Sequence, residues 1–148
     1  MKPEVDQILM ITAGQIMTEL TPNLPSHYTQ GAAQLAALMA ILSAQEYDRA
    51  AEIRAAENRE MRALFAELAP GVSDAALRAK LEAAGKGVDT SLRISALDQN
   101  NCGLRELLIA LHEHIEAQNG DAARAAETRI WTLLKNLAER RQLYLPGA

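Results

Sequence analysis

The chain has 148 residues, of which 49% are hydrophobic and 23% charged, a composition that supports a folded core and excludes intrinsic disorder. Its net charge of -4 and isoelectric point near 5.4 exclude the strongly basic character of proteins that bind nucleic acid. The length fits a single globular domain, which we predict to span residues 1–148.

The first predicted helix ends at a break that contains two prolines, Thr21-Pro22-Asn23-Leu24-Pro25. Asn23 or Ser26 can cap the helix that follows. Apolar residues in this helix recur at three- and four-residue steps, which is the pattern of an amphipathic helix. Ile11 and Met17 widen the apolar surface beyond the area that one neighbouring helix covers. We therefore expect a second neighbour, such as another subunit, to pack against this helix.

The stretch from Ser26 to Leu68 lacks proline and is rich in residues of high helix propensity, so it predicts one long helix. An apolar stripe that we expect to face the core runs along its first part and comprises Tyr28, Ala32, Leu35, Leu38, Met39 and Leu42. Charged residues at Glu46, Arg49 and Glu57 then interrupt the stripe. The plainer interpretation is a solvated surface of mixed charge. The alternative is a polar pocket between helices into which these three side chains project.

A proline and a glycine, Pro70-Gly71, end the long helix. Ser73 or Asp74 can then cap a short helix that ends at Gly85. Residues 85–90 are predicted to form a flexible loop, because their glycines match no phosphate-binding spacing and no strand precedes them.

Two further long helices complete the chain, one from residue 91 or 92 to the turn at Asn119-Gly120 and one after that turn. The alternation of apolar and polar residues that is typical of strands does not occur in the sequence. The sequence therefore predicts an all-α fold, an antiparallel four-helix bundle with one over-long helix and a short extra helix.

Asn100 and Asn101 lie along the apolar stripe of the third long helix, so at least one amide is expected to face the core. A buried amide needs hydrogen-bond partners. One interpretation is a polar residue that sets the register of helix packing, as in coiled coils. The other places one of these amides opposite the three charged residues of the long helix, in a ligand-binding pocket.

His112 and Glu116 are four residues apart, so they share a helical face and could form half of a metal site. The sequence has neither a Glu-x-x-His pair nor a His-Glu-x-x-His motif to supply the other half. We therefore expect a His/Glu pair at the helix surface and predict no metal site. His112 is also a candidate for the ligand-binding pocket.

Cys102 has Arg105 nearly one turn ahead, which could lower the thiol pKa, but the sequence indicates no base oriented to activate it. We expect Cys102 to be a small buried side chain. Motifs of nucleophilic catalysis and of cofactor binding do not occur in the sequence, which therefore predicts no catalytic residue and no cofactor.

The single cysteine cannot form an intramolecular disulfide, which is typical of proteins in a reducing compartment. The sequence opens with no signal-peptide pattern and contains no apolar run of about 18 residues that could span a membrane. We expect a soluble cytoplasmic protein that binds neither membranes nor nucleic acid.

Three features carry a resemblance in layout: the long helix, the break Thr21-Pro22-Asn23-Leu24-Pro25, and the stretch Leu104-Arg105-Glu106-Leu107-Leu108-Ile109-Ala110-Leu111-His112. With these features the chain resembles uncharacterised all-helical bacterial proteins. The resemblance implies an all-helical fold over most of the chain. It supplies no functional residue, because no catalytic motif or known activity accompanies it.

Together these features predict a non-enzymatic helical protein that binds another protein or associates with itself. A homodimer is the simplest form, because two-fold dimers are the commonest oligomers and an apolar helix face is easily self-complementary. The alternative function is binding or conversion of a small ligand in a polar pocket between helices. The residues of that pocket would be Glu46, Arg49, Glu57, Asn100, Asn101 and His112.

Overall fold

A computed structural model of the chain describes residues 4–145, and every regular element among these residues is a helix. The five α-helices are α1 (Val5–Gln15), α2 (His27–Leu68), α3 (Ala75–Gly85), α4 (Ile94–Glu116) and α5 (Asp121–Arg140). The predicted all-α class is thereby confirmed, as is the single long helix in its predicted place. No helix among the described residues is both long and apolar enough to span a membrane.

The described residues form two compact units. Of the described residues, the first unit contains 4–50 together with 143–145, and the second contains Ala51–Gln142. The first half of α2 belongs to the first unit and the rest to the second. The single domain predicted over 1–148 stays a prediction.

The break between α1 and α2 begins with a turn of π-helix at Ile16–Leu20 and a turn of 3-10 helix at Thr21–Asn23. The buried Thr21 hydroxyl donates a hydrogen bond of 2.7 Å to the carbonyl oxygen of Ile16. At the start of α2, the Thr29 amide donates to Ser26 Oγ and the Ser26 amide donates to Thr29 Oγ1. This reciprocal pair is a capping box with threonine at its second position, so of the two predicted caps, Asn23 and Ser26, Ser26 is the one used.

The core of the first unit is built mainly from small side chains. Ala13 of α1 is buried against Ala37 and Ile41 of α2. Small residues let two helices approach closely, and this contact turns the Ala37 face of α2 towards α1. The apolar stripe predicted to face the core is consequently wrong in part, since Tyr28 is 87% exposed and Leu35 is 59% exposed.

The second unit has the larger core, which contains the only phenylalanine, Phe65, fully buried on α2. After the charged interruption α2 again buries apolar side chains, among them Met61 and Leu64. The fully buried side chains around Phe65 are Met61, Val72, Leu81, Leu111 and Ile130.

Local signals in the second unit act as predicted at helix ends. Asp74 caps α3, where its carboxylate accepts hydrogen bonds of 2.8 and 3.0 Å from the amides of Ala76 and Leu77. A Cβ atom at Gly85 would lie 3.2 Å from the Ala66 backbone, so the end of α3 needs glycine for its close approach to α2. The turn before α5 needs Gly120, which has a φ of 113°.

Candidate functional site

Glu57 is fully buried on α2 and is bonded to side chains from two other parts of the second unit. Arg141, just after α5, contacts both of its carboxylate oxygens: Nε lies 2.6 Å from Oε1 and Nη2 lies 2.7 Å from Oε2. Arg105 of α4 adds a third bond, from Nη2 to Oε2 at 3.1 Å. Two cations from different parts of the chain therefore neutralise one buried carboxylate, which is the arrangement that a buried charge requires.

Asn101 of α4 is buried beside this pair. Its Nδ2 lies 3.0 Å from Glu57 Oε2 and 3.0 Å from Asn58 Oδ1, and its Oδ1 accepts a hydrogen bond of 2.7 Å from Arg105 Nε. Asn58, also fully buried, donates from Nδ2 to the Leu97 carbonyl oxygen at 3.1 Å. The side-chain amides of Asn58 and Asn101 thus hold α2 and α4 together by hydrogen bonds between the two helices.

Asp89 extends these contacts from the loop between α3 and α4. Its Oδ1 accepts hydrogen bonds from Arg62 Nη2 and Asn100 Nδ2, each at 2.9 Å, and from Asn58 Nδ2 at 3.1 Å. The connected side chains, called the polar network below, are Glu57, Asn58, Arg62, Asp89, Asn100, Asn101, Arg105 and Arg141.

The cations and amides of the polar network determine the charge state of its two carboxyls. Burial by itself would raise the pKa of Glu57, but the hydrogen bonds and charge of Arg141, with Arg105 and Asn101, outweigh burial and lower it below 4.5. Burial likewise would raise the pKa of Asp89, and hydrogen bonds from Arg62 and amide groups bring it below 3.8. Both carboxyls are therefore ionised at neutral pH.

These lowered pKa values predict how stability depends on pH. Because folded Glu57 and Asp89 bind protons more weakly than the unfolded chain does, their stabilising contribution is complete above the ordinary pKa values of 4.5 and 3.8. It is lost as the pH falls through the lowered values. Urea unfolding at about pH 7 and about pH 3 should show this loss. The loss should be smaller in Glu57→Gln and Asp89→Asn, and unchanged in the exposed control Glu113→Gln; equal losses in all four proteins would contradict the assignment.

The structure brings together three of the six residues predicted for a ligand-binding pocket. Glu57 contacts Asn101 directly, and Asn100 joins them through Asp89 and Asn58. The plainer interpretation of Glu57 as part of a solvated surface is wrong, because the side chain is buried and paired. The other three residues are reported next.

Glu46 and Arg49 lie on the first-unit half of α2, where both are half-buried and engaged in contacts of their own. His112 of α4 is within the second unit but contacts Glu116 and Trp131. The structure therefore places His112 in a different cluster of side chains from the one around Glu57.

Sequence reasoning missed five members of the polar network. Two of them had a local signal, since Arg62 follows Asn58 by four residues and Arg105 follows Asn101 by the same step. Asp89, a third missed member, lies on a loop and therefore belongs to no helical repeat from which the sequence could predict its position. The network as a whole supports the packing role for Asn101, because its buried polar atoms are bonded to one another.

Among the described residues, the only buried side-chain nitrogen or oxygen without a hydrogen-bond partner is Nε2 of His112. This atom lies 3.4 Å from Oε1 of Glu116, and the His112 ring meets the Trp131 ring edge to face at 5.4 Å. Glu127 of α5 brings a second carboxylate to the same place. The three residues are the one described group of histidine, cysteine and acidic side chains close enough to hold a metal ion.

Cys102 departs from its expected burial, since it is an exposed free thiol on α4. The sequence-based expectation of a buried side chain is wrong because α4 turns the adjacent Asn101 into the core, and the next residue of a helix points about 100° away.

The first unit presents a different candidate, an exposed apolar surface on α1, the break and the first half of α2. Its exposed members, called the apolar surface below, are Val5, Ile8, Met10, Ile11, Met17, Leu20, Leu35 and Met39. From Gln7 to Gln45 the sequence contains one charged residue, Glu19. Large apolar side chains exposed in such number on one unit of a protein mark interaction sites more often than isolated ones do.

Scans of this chain against models of protein families, curated proteins and solved structures found no match.

Proposed function

We propose that this chain is a non-enzymatic protein that associates with itself through the apolar surface of its first unit. The single observation that carries the proposal is the exposure of this surface. Ile11 is 63% exposed, and other large apolar side chains of α1 and of the first half of α2 are exposed as well. Covering such side chains releases water from apolar area, which is the main favourable term in protein association.

The charge pattern favours a second copy of the chain as the occupant. A partner chosen by electrostatic complementarity needs charges on the surface that it binds, yet Glu19 is the one charge between Gln7 and Gln45. A neutral apolar surface matches an identical surface related by a two-fold axis, because such an interface is self-complementary. The expected homodimer therefore requires no charged residues on the surface that it buries.

The side chains of the surface suit this role. Met10, Met17 and Met39 are all exposed there, and they are three of the five methionines in the chain. Methionine is unbranched and polarisable, so it adapts its shape to an opposing surface. The antiparallel four-helix bundle predicted for the whole chain is part of the same proposal, because short connections between long helices favour that arrangement.

An aspartate in the apolar surface tests the proposal. In Ile11→Asp and Met17→Asp the interface would have to bury an unpaired carboxylate, so both variants should be monomers at concentrations where the natural protein is a dimer. Native mass spectrometry and sedimentation velocity report the number of subunits.

The matched control is Ile109→Asp, which changes an equally exposed isoleucine on α4 of the second unit. This variant should stay dimeric. A natural protein that is monomeric at high concentration, or an Ile11→Asp variant with the dimer mass, would overturn the proposal.

The compartment belongs to this proposal as well. Cys102 is exposed and free, and an exposed thiol persists best where the environment is reducing. We therefore place the proposed function in the cytoplasm.

A further inference from the structure

His112, Glu116 and Glu127 converge where α4 packs against α5. One ligand atom from each residue, an imidazole nitrogen or a carboxylate oxygen, lies within 4.8 Å of the other two. His112 and Glu116 share a face of α4 through their four-residue spacing, and Glu127 completes the group from the neighbouring helix. The sequence alone offered half of such a set, because Glu127 is brought in by the packing of α5.

One polar atom of the His112 ring is left without a hydrogen bond. Its Nε2 is buried and makes no hydrogen bond, although buried polar atoms are almost always paired. The distance of 3.4 Å to Glu116 Oε1 is too long for a good hydrogen bond. Two ligands on one tetrahedral zinc ion, each at about 2.1 Å, lie roughly 3.4 Å apart. The observed separation of His112 Nε2 and Glu116 Oε1 fits two ligands of one ion.

We propose that His112, Glu116 and Glu127 form a binding site for a divalent transition-metal ion of the zinc class. Imidazole nitrogen selects ions such as zinc over calcium and magnesium, which prefer oxygen ligands alone. The two carboxylates offset the charge of the ion. This site lies in the second unit and is independent of the proposed self-association.

Three protein ligands leave the fourth position of a tetrahedral ion for water or a small anion. Glu116 is half-exposed, so that position is open to solvent. An ion held in this way joins α4 to α5 and is coordinated by Nε2 of His112, which makes no hydrogen bond. Metal binding should therefore raise the melting temperature of the protein, because the ion binds the folded chain in preference to the unfolded one.

The single tryptophan reports directly on this site. Trp131 packs against the His112 ring, and its Nε1 lies 3.4 Å from Glu127 Oε1. Zinc chloride titrated into untagged, chelator-treated full-length protein should give a saturable change in tryptophan fluorescence. Calorimetry on the same samples should give one zinc ion per chain.

Conservative variants assign the binding to these residues. Glu127→Gln and Glu116→Gln keep the size of the side chain, and each should weaken zinc binding by at least about ten-fold. His112→Gln should do the same. Glu113→Gln, an exposed change on the same helix, and His114→Gln, a histidine bonded to Ser73 and Gln118, should bind zinc within about two-fold of the natural protein.

Two results would overturn the metal site. One is a natural protein that shows no saturable zinc binding, and the other is zinc binding that survives unchanged in Glu127→Gln. All variants should keep the subunit number of the natural protein, so failure of the metal site and failure of the proposed dimer are separate outcomes.

Discussion

Replacing both Arg105 and Arg141 by leucine is expected to lower the free energy of unfolding by about 3 to 5 kcal/mol at neutral pH. The double variant keeps Glu57 buried but removes both cations that contact it. An ionised carboxylate without a partner in a protein interior is strongly destabilising, whereas the arginines themselves are partly exposed and their loss alone costs less. Urea unfolding at neutral pH measures the difference.

The triple variant, with Glu57→Leu added, is the control for this effect. It has no buried charge, and apolar replacement of a whole buried ion pair is often neutral or stabilising, so most of the lost stability should return. The double variant should also gain stability relative to the triple variant as the pH falls, since a carboxyl with no cation has a raised pKa in the folded state. A double variant as stable as the natural protein would contradict the role of the two arginines.

Leu111→Ala is expected to cost about 2 to 5 kcal/mol of unfolding free energy. Leu111 is fully buried on α4 in the core of the second unit, so its truncation loses apolar contacts and leaves a cavity. Ile109→Ala changes a residue two positions earlier that is 60% exposed, and it should cost less than about 1 kcal/mol. Chemical unfolding of both variants gives the comparison. Equal costs for the two substitutions would show that α4 faces the core differently.

Helix ends could be predicted from the sequence because their causes are local. Ser26 and Asp74 satisfy amides two or three residues away, and Gly120 provides a backbone angle that other residues rarely adopt. The start of α4 is the exception. The helix begins at Ile94, after the predicted residue 91 or 92, and in the non-helical residues before it the Arg93 amide donates a hydrogen bond to Ser91 Oγ.

The face that a helix buries depends on its neighbours, and this limited the prediction for α2. Large apolar residues marked Tyr28 and Leu35 as core, but the contact with α1 is made by Ala37 and Ile41. Helical periodicity identifies an apolar stripe without saying which of two adjacent stripes meets the partner.

For the same reason, only some residues of each candidate site could be predicted from the sequence. Glu57 and Asn101 could be singled out as polar residues on apolar stripes, but Arg141 is 84 residues from Glu57 along the chain. Glu127 likewise reaches His112 only through the packing of α5 on α4. Contacts between residues far apart in sequence follow from tertiary packing, and local patterns do not contain them.

The distance along the chain between Glu57 and its cations also has a consequence during synthesis. Glu57 leaves the ribosome 48 residues before Arg105 and 84 residues before Arg141. Until the end of α5 has emerged, the carboxylate lacks its two-oxygen contact with Arg141, and water remains its best partner. We therefore expect complete burial of this part of α2, and closure of the second unit, to follow the emergence of Arg141.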